Sequence, residues 1–325
     1  MTFKLKLLFP LFLMITFNIH GIENNTSSKG FVPWYTGPLI APSASNMLPG
    51  TVNIQPYVYV TDIHSVFDSN HKHQSTPDTI TTNITTDFQF GLNSFLDVTI
   101  NLSGYYNHRK SKNVLEYGDT PIAFGFQIIR QEKGTFIPSI RVKLKETFPT
   151  GRYQKLNPDN HGIDSSGTGA YSTTFVLVFA KTLYYFETHP IAFRLGFNYT
   201  IPSTVHVLDF HAYGGGYNTD GKVRPPNTFA TFFSFEFSFT QRWVYAMDFT
   251  YSHQTASHFN GIEGTNADGT IAHNTVPAST LWTIAPAIEY NFSQNFGMIA
   301  GVWIAIDGSN AQDFTSYVYS FTYSF

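Results

Sequence analysis

From position 51 onward apolar and polar residues alternate with a period of two, in segments of about ten residues separated by Gly, Pro, Asn and Ser. That period is the signature of β-strands with one apolar and one polar face. The last segment shows it most clearly: Tyr317, Tyr319, Phe321, Tyr323 and Phe325 share one face, and Val318, Ser320, Thr322 and Ser324 the other. Five rings on one face and no charge suit a strand that faces lipid and ends at the aromatic girdle of a transmembrane barrel. Twelve such segments can be cut, at about 51–61, 81–91, 95–106, 119–130, 136–147, 170–182, 190–201, 228–239, 243–252, 280–291, 296–306 and 314–325. Connections after the even segments are short (92–94, 240–242), and those after the odd ones mostly long (206–226, 253–279). Such sorting matches the periplasmic turns and extracellular loops of one barrel. The pattern predicts an all-β membrane protein: a single antiparallel up-and-down transmembrane β-barrel of 12 strands.

The two faces can be read strand by strand. Segment 190–201 puts Ile191, Phe193, Leu195 and Phe197 outward, with Ala192, Arg194, Gly196 and Asn198 inward. Segment 136–147 puts Ile140, Val142 and Leu144 outward against Arg141, Lys143 and Lys145 inward. A Lys or Arg facing mid-bilayer would cost about 2–4 kcal/mol, which fixes this phase. Segment 170–182 is apolar on both faces, and its inward set is read to include Lys181. The resulting map gives a basic wall of Arg141, Lys143, Lys145 and Arg194. Acidic walls of Asp87, Asp97, Glu236, Asp248 and Glu289 are expected to face it across the lumen. Two readings stay open: a transverse field that orients a solute in a narrow pore, or salt bridges that fill the interior. Twelve strands lie between a filled eight-stranded barrel and a sixteen-stranded aqueous channel.

Composition agrees with a barrel and excludes other classes. Charged residues are 13% and aromatics 17% of the 325 residues, yet mean hydropathy is only −0.12. A helical membrane protein would carry apolar runs of about 20 residues. Net charge is −3, which leaves no electrostatic footprint for nucleic acid. There is no cysteine, so thiol chemistry is out. Lys4 and Lys6 before the apolar run 7–17 read as a secretory signal peptide ending near Gly21. Export together with barrel strands implies the bacterial outer membrane of a Gram-negative cell. The expected division is 1–21 signal peptide, 22–50 extension and 51–325 barrel. Within the extension Trp34, Tyr35, Leu39 and Ile40 are apolar enough to dock, which makes it a candidate plug.

Three short motifs stand in order along the middle of the chain. Glu116-Tyr117-Gly118-Asp119-Thr120 opens one strand, Phe148-Pro149-Thr150-Gly151 follows the next, and Gly167-Thr168-Gly169-Ala170-Tyr171 opens a third. With Trp34-Tyr35-Thr36-Gly37-Pro38-Leu39 and Pro49-Gly50, this order resembles the "MetA-pathway of phenol degradation" family of outer-membrane β-barrel transporters. The resemblance spans most of 34–325 and rests on turn residues. It implies passive, porin-like channel transport of small hydrophobic or aromatic compounds and carries no catalytic set or cofactor. Partners implied are outer-membrane lipids, a small-molecule solute, and the barrel assembly machinery through the strand ending at Phe325.

Other constellations weigh less. His64, His71 and His73 could bind a metal, but ten of the twelve histidines fall in expected extracellular loops, where a polar surface would also place them. No metal site is assigned. Ser252-His253 and Ser257-His258 with Asn260 suggest an alternative, an outer-membrane enzyme of phospholipase type, although nothing in their spacing puts nucleophile beside base. No catalytic residue is assigned. A surface structural or adhesive barrel acting through its loops is a further alternative. Gly214-Gly215-Gly216 reads as a flexible loop tip able to fold over the pore.

Overall fold

The computed structural model describes residues 34–132, 135–184 and 189–325; the expected signal peptide at 1–21 and positions 22–33 of the extension lie outside them. Sixteen strands follow in order: β1 (Val52–Phe67), β2 (His73–Gly91), β3 (Leu96–Arg109), β4 (Lys112–Tyr117), β5 (Thr120–Ile129), β6 (Ser139–Phe148), β7 (Ser172–Leu183), β8 (Ile191–Pro202), β9 (Val205–Leu208), β10 (Asp220–Arg224), β11 (Thr228–Ser238), β12 (Trp243–Gln254), β13 (His258–Ile262), β14 (Ser279–Asn291), β15 (Phe296–Ser309) and β16 (Ala311–Ser324). Twelve of them form a closed antiparallel barrel, in which β1 pairs with both β2 and β16. Val52 and Phe325 seal the seam by exchanging N–H···O bonds of 2.9 Å in both directions. β4 continues the line of β5 along β3 after a break at Gly118-Asp119. β9, β10 and β13 form a separate three-stranded sheet built from the two longest extracellular connections.

Alternation dictates what each side carries. Tyr317, Tyr319, Phe321, Tyr323 and Phe325 are all at least 41% exposed on the outer face, while Ser316, Val318 and Ser320 of the same strand are buried inside. Trp243, Tyr290, Phe292, Phe296 and Tyr323 meet ring to ring near the short turns, as the aromatic girdle of a barrel does.

Three expectations change. Strands on one side run well past a ten-residue span: β2 has 19 residues and starts at His73, and only Asn310 separates β15 from β16. Regions expected as long loops there are strand, because Ser75, Thr79 and their neighbours keep pairing above the bilayer. Lys181 faces outward, since it stands opposite Phe193; its ammonium reaches the Thr135 and Ile137 carbonyls at the rim. In a strand apolar on both faces, the charge took the rim rather than the lumen. Gly214-Gly215-Gly216 is no mobile tip either. A Cβ on any of the three would fall within 2.4 Å of another backbone oxygen, so the run is packed tightly against 265–273 and Asp209.

The three short motifs of the middle of the chain converge on one joint. The Asp119 carboxylate accepts from Gly151 N (2.9 Å), Thr168 N (2.8 Å) and Thr168 Oγ1 (3.0 Å), and Thr150 Oγ1 donates to the Gly118 carbonyl (2.8 Å). The motifs thus clamp the β6–β7 loop onto the break between β4 and β5.

Candidate functional site

The inward face of the barrel carries the chemistry, and residues 34–50 occupy part of it. Gly50 joins the rim by donating to the Gly91 carbonyl (2.9 Å). Tyr35 reaches the Pro190 carbonyl (3.5 Å) at the same end of the barrel. Between them the segment rises to an apex at Leu39–Ala41 and returns. It is irregular, so it has no ladder to satisfy its backbone, and buried N–H and C=O groups must find partners elsewhere. Pro38 and Pro42 remove two donors outright. Inward side chains of the wall supply the other partners.

Asp248 of β12 accepts from Ile40 N (3.1 Å) and Ala41 N (3.2 Å) at the apex. Glu289 of β14 takes Thr36 N (2.7 Å), and Asn291 donates to the Trp34 carbonyl (3.1 Å). Arg194 of β8 pairs with Glu236 of β11 (2.7 Å) and reaches the Ala41 carbonyl (3.4 Å). On the returning limb Arg141 of β6 donates to the Ser43 (3.0 Å) and Ser45 (3.2 Å) carbonyls and pairs with Asp97 of β3 (2.5 Å). Asp97 in turn accepts from Met47 N (2.9 Å), and Gln127 of β5 holds both Asn46 N (2.9 Å) and the Ala44 carbonyl (3.0 Å). Gly125, between Arg141 and Asp97, makes the ion pair possible: a Cβ there would lie 2.3 Å from each. Leu39 fills a nest of Ala246, Ala285, Ala287, Ile299 and Val318, and Ala41 and Ala44 pack on Val176, Val178 and Phe232.

Five of the nine lumen residues read from the sequence therefore meet on one feature, the backbone of 34–50, and a sixth, Glu236, reaches it through Arg194. The charge walls do not face each other across the lumen as expected. Arg194 and Glu236 pair between adjacent strands, and Arg141 reaches Asp97 past only β5. The closed wall lets neighbouring strands satisfy each other at hydrogen-bond distance, which a span across the lumen would not. Asp87 takes Asn101 Nδ2 (2.6 Å), while Lys143 and Lys145 face inward and, among the described residues, form no direct ion pair. Gln127 and Asn291 were missed. Each sits at an inward position of its strand, Gln127 opposite Arg141 and Asn291 two residues past Glu289, so the alternation alone would have found them.

Above the apex the lumen opens into a cavity of about 770 Å³. Leu39 and Ile40 form its floor, β1–β3 much of its wall, and 161–165 its roof. The histidines of the first loop lie outside this cavity: His64 and His73 approach Asp313 (3.3 and 2.8 Å), and His71 approaches Asp307 (2.8 Å). Among the described residues no group of three or more ligating side chains is arranged to hold a metal ion. Ser257 Oγ accepts from Val276 N (2.8 Å), and Ser252 and His253 alternate to opposite faces of β12.

No protein-family model and no curated protein sequence matches the chain. Among solved structures it is similar to the COG4313 outer membrane channel from Pseudomonas putida F1, with TM-score 0.68 and 12% identity over 88% of this chain and 100% of that one. The chain folds as an outer-membrane β-barrel. Looser likenesses are the translocator domain of the autotransporter NalP from Neisseria meningitidis (TM-score 0.44, 10% identity, 86% of this chain and 89% of that) and a mutant of the monoaromatic hydrocarbon channel TodX (TM-score 0.38, 13% identity, 86% and 91%). Those two differ too much in shape to compare position by position.

Proposed function

We propose that the chain is a passive outer-membrane channel for small solutes, closed at mid-lumen by residues 34–50 and opened when that segment shifts. One observation carries the reading: an open cavity above the apex ends on a segment held by polar contacts that can exchange with water. The Pseudomonas putida barrel of like fold is an outer membrane channel, and the MetA-pathway resemblance supports a transporter of hydrophobic or aromatic compounds. Arg141, Arg194, Glu236, Asp248, Glu289 and Asp97 hold the plug, whereas Lys143, Lys145 and Asp87 line the passage and bias ion flow. The leader at 1–21 exports the chain, and the Phe325 strand presents it to the assembly machinery.

The test is purified protein in a planar bilayer. It conducts weakly, and Lys143→Glu moves its reversal potential towards cation preference. A barrel that passes no current at any voltage and takes up no solute in liposomes overturns the proposal. A second reading, a barrel acting through its surface, draws on the β9–β10–β13 sheet, which has its own buried core of Val205, Val207, Tyr213 and Val223. Deleting that sheet would abolish surface binding and leave permeability unchanged under this second reading.

A further inference from the structure

The cavity above the apex differs in chemistry from the lumen beneath it, and its two walls differ from each other. Along β2 from Thr79 to Thr85 every inward position is a hydroxyl or an amide: Thr79, Thr81, Asn83 and Thr85. These seven residues of strand cover about 20 Å. Beside this ladder β1 places Tyr59 and Ile63, with Thr61 between them, and Trp303 from β15 with Leu39 and Ile40 at the floor extends the apolar surface. No carboxylate lines the cavity, and Arg109 and His161 are its only basic side chains, both at the roof. Arg109 there donates to the His161 carbonyl (3.1 Å), and Asn107 to the Ile163 carbonyl (2.7 Å), so the roof is tied down.

The ladder has a polarity of its own. Thr79 spends its proton on the Pro77 carbonyl (3.3 Å), Thr85 on Asn101 Oδ1 (3.0 Å) and Asn83 its amide on the Gly104 carbonyl (3.2 Å). What Thr79 and Thr85 turn to the cavity is acceptor lone pairs, Asn83 keeps its second amide N–H, and the Thr81 side chain, with no hydrogen bond among the described residues, offers both donor and acceptor. A carboxylate or phosphate finds no cation along this ladder, and its acceptors welcome O–H donors. A cation would find no counter-charge. The volume falls in the range of small-molecule pockets, about 300–1,000 Å³.

We infer that this cavity binds uncharged ring compounds that carry hydroxyls along one edge and an apolar face on the other. Hydroxyls engage Thr79, Thr81 and Asn83 while the ring lies against Trp303 and Tyr59. Neutral sugars and small cyclic alcohols share that chemistry. The inference rests on the channel reading and names the solute class that first meets the closed segment.

Saturation-transfer NMR on the full chain in detergent tests it with four probes: cyclohexane-1,2-diol, methyl glucoside, cyclohexane and cyclohexanecarboxylate. The diol is expected to bind, and the carboxylate to bind at least tenfold more weakly. The variant Thr79→Val with Thr81→Val keeps side-chain shape and should lower diol affinity about tenfold while leaving cyclohexane unchanged. Binding of methyl glucoside as well as the diol would point to sugars, and of the diol alone to cyclic alcohols. Equal binding of carboxylate and diol, or an unchanged diol affinity in the double variant, overturns the inference. Binding is read without transport, so current in the bilayer with no ring bound sinks the site and spares the channel. A bound ring with no current does the reverse.

Discussion

The lower and upper halves of this lumen are built from the same twelve strands, yet they handle polarity in opposite ways. Below the apex, Arg141, Asp97, Asp248 and Glu289 are buried and, with the half-buried Arg194 that Glu236 holds, committed to a piece of irregular backbone. Above it, the wall is neutral and its oxygens face open space. Charges in a low-dielectric interior need close, well-placed partners, so they suit a surface that grips. Neutral hydroxyls tolerate partial satisfaction and rapid exchange with water, so they suit a surface across which something slides. A barrel of this width can therefore hold a seal and a vestibule in series without changing its architecture.

That contrast breaks most sharply at the Arg141–Asp97 pair. Both side chains are at most 1% exposed. Arg141→Ala leaves Asp97 buried without its counter-charge, a loss of about 3–5 kcal/mol. Because the chain has no cysteine, a single Ala44→Cys reports on the segment cleanly. Its maleimide labelling in the native barrel should accelerate more than about a hundredfold in the Arg141→Ala background, with the cavity ligands still binding. An unchanged rate would mean that the segment is held by packing alone. Asp248→Asn is the milder cut. One oxygen still accepts while the charge and the second acceptor go, at about 1–2 kcal/mol, so labelling at the same cysteine should rise about tenfold.

Much of this was written in the alternation. Phe193–Arg194–Leu195 and Val142–Lys143–Leu144 announce their faces, because a misplaced charge in lipid is too costly for the pattern to be broken. The lumen charges were legible for the same reason, but not what they hold: nothing in the spacing of Asp248 says that its two oxygens accept from Ile40 and Ala41, 207–208 residues earlier. Lys181 misled because Phe175 to Ala180 is apolar on both faces and gives no phase. The triple glycine misled because the same residue type serves a mobile tip and a crowded backbone crossing. The threonine ladder was visible at Thr81, Asn83 and Thr85 inside the expected segment 81–91, yet its upper end at Thr79 fell where a loop was expected.

The smallest effect expected separates the extracellular cap from both halves of the lumen. His211 is buried beneath the β9–β10–β13 sheet, where Nε2 meets Asn274 Oδ1 (3.1 Å) and Nδ1 accepts from Tyr213 N (3.2 Å). The Nδ1 contact requires an unprotonated nitrogen, and burial holds the imidazole below its ordinary value, with the Asn274 bond opposing in part. The folded cap then binds fewer protons than the unfolded one. Its stability is full above the unfolded value of about 6.5 and falls as pH drops below that. Amide protection in 205–224, taken relative to the unfolded chain at the same pH, should therefore fall at pH 5 relative to pH 7.5, while the protection of Ala44→Cys from maleimide, normalised in the same way, stays level. His211→Gln should remove the pH dependence of the cap. Protection that falls equally in the variant would place the titrating group elsewhere.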